Sequence, residues 1–227
     1  MAAAGNHRGP DSGAALATLC ETYWYPVYAY IRRRGYPAAD AQDLTQGFFA
    51  ALLEKDFVRL ADRERGRFRT FLLTAVSRFL SKQMDRATAK KRGGGVKTFS
   101  IDVDAGEGRY ALEPSEQWTP ERLYERRWAL TLLERVLARL GDRYAAQGKE
   151  VLFENLKEFL TDAGQTSGHA ERAAKLGLAE GALKVAVHRL RRRYRDLLKQ
   201  EIADTVADTA DVEDELDVLL SALRGEV

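Results

Sequence analysis

Residues 170–199, AERAAKLGLAEGALKVAVHRLRRRYRDLLK, constrain the fold more than any other stretch. They read as two helices joined by a tight turn. The first, Ala170–Leu176, carries the small Ala173 where a second helix must pass close. Gly177 follows, where the turn needs a positive φ that glycine reaches at little cost. From Glu180, an acid at the positive end of the helix dipole, the second helix opens. Leu183, Val187, Leu190, Tyr194 and Leu197 recur at helical spacing and form one buried stripe. The opposite side presents Lys184, His188, Arg191 and Arg195, with Arg189, Arg192 and Arg193 beside them. A helix that buries one stripe and lines the other with cations fits a helix-turn-helix whose second helix enters a DNA major groove. The plainer alternative is a basic amphipathic helix on the surface of an ordinary bundle.

Charge is segregated along the chain. Net charge is only +2 over 227 residues, so the chain is no polycation. Residues 184–199 are strongly basic, whereas 201–227 hold Glu201, Asp204, Asp208, Asp211, Glu213, Asp214, Glu215, Asp217 and Glu226 against Arg224 alone. This asymmetry points to a nucleic-acid surface beside an acidic tail. Leu216, Leu219, Leu220 and Leu223 add an apolar stripe that a solvated polyacid does not need. The tail is therefore expected to fold back on this protein, with the basic helix as its electrostatic target, or to bind a partner, a merely solubilising tail being the third alternative. The single cysteine, Cys20, excludes an internal disulfide and reads as a small core residue. No apolar run approaches about 18 residues, and the opening MAAAGNHRGPDSG lacks a signal core, so a cytoplasmic protein without a membrane segment is expected.

Helical periodicity accounts for the rest, and the fold expected is all-α. Two helical domains joined by a flexible linker are expected, the C-terminal one carrying the helix-turn-helix. Residues 1–13 read as a disordered arm. Residues 14–95 read as a first domain. Its helices are Ala14–Arg34, a second capped by Asp40 with Leu44, Phe48, Phe49 and Leu52 inward, and a third from Phe68 to Lys91. Gly47, mid-helix, costs about 1 kcal/mol relative to alanine and is expected to allow a close helix contact. Lys90, Lys91 and Arg92 precede a triple glycine. Residues 96–119 read as the linker. In 120–200, Thr119 caps a helix that Gly141 is expected to stop. A further helical piece follows near 149–161, burying Val151, Leu152, Leu156, Phe159 and Leu160. Residues 201–227 form the acidic tail.

The pattern offers no catalytic chemistry. His7, His169 and His188 lie far apart and none is spaced with a cysteine or acid as a metal ligand. There is no phosphate-binding G-x-x-x-x-G-K-[ST] loop and no G-x-S-x-G elbow. No catalytic residue, metal site or cofactor is expected.

Three motifs in order give a family resemblance. Asp40-Ala41-Gln42-Asp43-Leu44-Thr45-Gln46-Gly47-Phe48-Phe49 is similar to D-A-x-D-L-x-Q-x-x-F. Phe68-Arg69-Thr70-Phe71-Leu72, running to Lys90-Lys91-Arg92, is similar to F-R-x-W-L with its basic end. Ala173 to Gly177, Gly181 to Lys184 and His188 to Arg191 follow A-x-x-L-G-x-x-x-G-x-V-K-x-x-x-H-R-x-R. Residues 14–200 thus resemble the sigma factors of bacterial RNA polymerase, in the two-domain extracytoplasmic-function class.

The resemblance implies a role for each motif. Asp40, Asp43, Leu44, Gln46 and Phe49 match the segment that docks on the coiled coil of the polymerase β′ subunit. Arg69, Arg78, Lys82, Gln83, Arg86 and Lys90 lie on the helix that captures the −10 element. There the cations can follow phosphates and Gln83 can meet a base edge. Lys184, His188, Arg189, Arg191 and Arg192 match the helix that reads the −35 element. RNA polymerase core and promoter DNA are the implied partners, with an anti-sigma factor or other regulator as a further one. This sequence departs from the family at Gly47, where a glutamate is usual, and at Val185 and Ala186, where polar base readers are common. Two other readings stay open: a stand-alone helix-turn-helix regulator, and a helical adaptor for an acidic partner.

Overall fold

The computed structural model describes residues 10–54, 67–89, 103–113, 118–160 and 169–225. Among them are nine α-helices and no strand, so the protein is all-α. They are α1 Pro10–Arg33, α2 Ala38–Glu54, α3 Phe68–Ala89, α4 Val103–Ala111, α5 Pro120–Ala145, α6 Glu150–Leu156, α7 His169–Lys175, α8 Glu180–Ala203 and α9 Val212–Arg224. Short 3-10 turns at Lys157–Leu160 and Thr209–Asp211 follow α6 and precede α9. The described residues form two compact units, one within 1–131 together with 202–227, the other within 132–201. The chain therefore passes from one unit to the other inside α5 and again near the end of α8.

The N-terminal unit is organised around Trp128 of α5, which is fully buried. Tyr23 of α1 stacks on it at 3.8 Å between ring centroids, and Phe68 and Tyr124 lie 5.9 and 6.0 Å away. Rings of this size bury enough area to hold the first half of α5 in this unit. Part of the expected linker is helix α4, and it packs on α1. Glu107 accepts from the Tyr28 hydroxyl at 2.6 Å and from Arg32 Nε at 2.7 Å, and Glu113 accepts from Tyr25 at 2.8 Å. A Cβ at Gly106 would lie 3.2 Å from the Trp24 ring, which leaves little room there for any side chain. The acids that suggest a solvated linker are the acceptors that seat it. α1 begins at Pro10, inside the expected arm, while residues 1–9, Lys90–Thr98 and the side chain of Cys20 lie outside the described residues.

The tail joins this unit as α9. Val212, Glu215, Leu219 and Ala222 are its buried side, so the spacing runs through an acid. Arg126 donates to the Leu223 carbonyl at 3.2 Å and Arg122 to the Gly225 carbonyl, which caps the negative end of the helix with two cations. At the other end of the unit, the Phe68 amide, an unpaired donor of the first turn of α3, reaches the Thr205 carbonyl at 2.9 Å. The tail thus docks on helices of its own chain, and its buried acid Glu215 pairs with Arg69 of α3 and with Arg67 just before it.

In the C-terminal unit, Leu132, Val136, Leu140 and Tyr144 of α5 are buried, as are Leu156, Phe159, Ala173, Leu183, Val187 and Leu190. Thr119 caps α5, its hydroxyl accepting the Arg122 amide at 3.2 Å. Gly141 does not stop the helix. A Cβ there would meet Phe153 Cε1 at 3.0 Å, so the glycine makes room for that ring, and the chain turns at Gly148 with φ +66°. Val151, expected inside, is 71% exposed, and Phe153 takes the buried position.

Candidate nucleic-acid interface

α7 and α8 are joined by a turn whose geometry Gly177 makes possible. Its φ is +63°, in the left-handed region. The Leu178 amide donates to the Ala173 carbonyl at 2.9 Å and the Gly177 amide to Ala174 at 3.1 Å. This paired arrangement is a Schellman motif, which satisfies two terminal carbonyls of α7 and turns the chain into α8. Ala173 is buried at this corner, where a larger side chain would hold the helices apart.

α8 then buries Leu183, Val187, Leu190 and Leu197 and leaves Lys184, Val185, His188, Arg189, Arg191 and Arg192 exposed. These residues do not all point their charge at solvent. Arg191 donates from Nε and Nη2 to the Phe159 carbonyl, at 3.0 and 2.8 Å, and so ties the 3-10 turn to α8. The Lys184 ammonium lies 2.7 Å from Glu180, one turn earlier. Farther along, Glu201 is buried and paired with Arg135 at 3.5 Å and with Arg139. Tyr194, whose hydroxyl donates to the Leu133 carbonyl at 3.4 Å, has its phenol pushed up to about 12 by burial.

A second surface lies on α2 and α3. Phe48 and Leu52 of α2 and Phe71, Ala75 and Phe79 of α3 line a groove of about 240 Å³, with Arg78 and Lys82 on its wall. Asp40 and Asp43 are exposed on α2, away from the buried Phe48, Phe49 and Leu52. Such a surface offers aromatic faces and cations at one place, as a single nucleic-acid strand requires.

The family model described as ECF sigma factor matches residues 38–200, from the start of α2 almost to the end of α8. The chain belongs to the ECF sigma factor family. No curated protein and no solved structure matches it. In this ECF sigma factor α1 and α9 fall outside the matched stretch, and both belong to the N-terminal unit. No helix among the described residues is long and apolar enough to cross a membrane.

Two of the expected site residues lie in the interior. Phe49 is fully buried, so the side chain expected to dock polymerase is core. Arg69 is only 4% exposed. Its Nε donates to Glu215 at 3.0 Å, its Nη2 to the same carboxylate at 3.4 Å, and its Nη1 to Glu125. Burial works against the Arg69 charge, but the bonds and charge of Glu215, then of Glu125, outweigh it and raise its pKa. An arginine held this way does not follow phosphates. Arg67, 3.2 Å from Glu215, shares the acid. Leu44 and Gln46 are half-buried, Arg78 and Lys82 exposed, and Gln83 half-buried, while the Arg86 side chain and Lys90 lie outside the described residues. Sequence reasoning missed the Glu215 cluster. Its signal was an acid inside the 212–215–219–222 stripe, which only a buried cation can tolerate.

Proposed function

We propose that this ECF sigma factor binds RNA polymerase core and directs it to promoters by reading two elements. In this reading Asp40, Asp43, Leu44 and Gln46 on α2 meet the β′ coiled coil. Arg78, Lys82 and Gln83, with Arg86 and Lys90 farther along, engage the −10 element. Lys184, His188, Arg189 and Arg192 on α8 engage the −35 element, with Arg191 as the group that holds α8 in place. A cytoplasmic protein without a cofactor, controlled by an anti-sigma factor or other regulator, fits the same reading.

The observation that carries it is the division of α8. A stripe of fully or nearly fully buried aliphatic side chains faces the protein, and cations occupy the other side of the same helix. The stripe fixes the orientation of the helix, so the cations stand at set positions for phosphates and base edges. The test is copurification with core enzyme followed by transcription in vitro from a library of promoters. Retention of core and start sites that share two spaced elements are expected. Selective DNA binding without any core retention would favour a stand-alone regulator, and neither activity would favour an adaptor.

A further inference from the structure

We infer that Val185 is a specificity-determining residue that reads a thymine 5-methyl group in the element α8 contacts; this rests on the DNA-binding reading of α8 given above. Leu183, Val187, Leu190 and Leu197 define the buried direction of the helix. At 100° per residue, Val185 lies about 200° around from Leu183, near the centre of the exposed side. It is 50% exposed there, an unusual position for a branched aliphatic side chain among cations. One turn earlier, at Gly181, an added Cβ would meet nothing within 4 Å, so the approach to this end of the helix is open.

Lys184 beside it sits in an exposed i,i+4 pair with Glu180 that DNA phosphates can outcompete, while Arg191, farther along, is committed to the Phe159 carbonyl. His188, Arg189 and Arg192 stand later along α8, where backbone phosphates can take their charge. Residues at the start of a recognition helix are the ones that reach base edges. In the major groove only thymine presents an apolar group, its C5 methyl. Against cytosine, adenine or guanine the isopropyl group would cover donors or acceptors and leave them unsatisfied. The side chain therefore favours thymine by contact and disfavours the other bases by desolvation.

The experiment uses the full chain and a duplex selected by it from a randomised library. Each thymine of the selected element is replaced in turn by uracil, which removes the methyl and nothing else. Loss of one buried methyl is expected to weaken binding about fourfold at one position. Val185→Ala, at an exposed helical site that alanine suits, is expected to bind thymine and uracil duplexes alike at that position. Equal binding of wild-type protein to every uracil duplex would overturn the inference while leaving the DNA-binding reading intact. So would a Val185→Ala variant that still loses affinity with uracil at the same position. Absence of any selected sequence would overturn both.

Discussion

Arg69 Nε and Glu215 Oε1 lie 3.0 Å apart although 146 positions separate them in the chain. The pair joins the first turn of α3 to α9, and Glu215 is 1% exposed. Two charges so buried are tolerable only because each has partners: Glu125 on the arginine, Arg67 on the glutamate. Glu215→Ala leaves Arg69 with less compensation and is expected to cost roughly 3 kcal/mol. Urea unfolding of the full chain measures it. A loss below about 1 kcal/mol would mean that water replaces the carboxylate, as it does for an exposed pair.

Two glycines inside helices should respond oppositely to alanine. At Gly47 of α2 the new Cβ would rest 3.5 Å from the Phe79 ring, an ordinary contact, so the close approach expected from sequence does not depend on the glycine. Gly47→Ala should therefore stabilise by roughly 0.5–1 kcal/mol. Gly141→Ala forces the Phe153 ring to move and should bring no gain or a loss. Thermal unfolding of both variants checks the contrast, and a stabilised Gly141→Ala would show that the ring yields freely.

Asp43 is exposed and Gln46 half-buried on α2, clear of its buried aromatic side. A double substitution to alanine should leave the fold intact by circular dichroism. Core affinity should fall by about tenfold or more, which corresponds to about 1.4 kcal/mol. Unchanged retention of core by the folded variant would remove this face from the docking surface.

Arg192→Ala removes an exposed cation from α8. If Arg192 holds a phosphate, binding should weaken on all duplexes alike, and the slope of log affinity against log salt should flatten by about one unit. A loss confined to particular sequences would assign Arg192 to a base edge instead.

Alkaline pH should act through the buried tyrosines, Tyr194 together with Tyr25, Tyr28 and Tyr124, whose phenols burial raises further still. Burial pushes the Tyr194 phenol up to about 12, against about 10 in an unfolded chain. The folded state holds the proton more tightly, so this contribution is complete below about pH 10 and is lost as pH rises toward 12. Absorbance at the phenolate band, followed with unfolding in the same samples, should show Tyr194→Phe to be less sensitive to alkali. Equal sensitivity would place the alkaline transition at another group.

The sequence by itself determined the core of most helices, though not α4 or the ends of α1 and α5, and the turn at Gly177. Apolar spacing marks them, as in Leu183, Val187 and Leu190, and a backbone with positive φ needs glycine. The family resemblance was legible for the same local reason, since its three motifs are short and ordered. Tertiary structure decided which partners the charged groups take. Arg69 stands at helical spacing with the buried Leu72, Val76 and Leu80, so its side of the helix was legible, but only the fold locks it to Glu215 and Glu125 while Arg78 lines a groove. The same holds for α4, whose Glu107 finds Tyr28 and Arg32 only once α1 is folded beside it. A helical period reports which side of one helix is apolar. An acid inside the 212–215–219–222 stripe marks a buried charge, but the identity of its partner, 146 residues away, leaves no local trace.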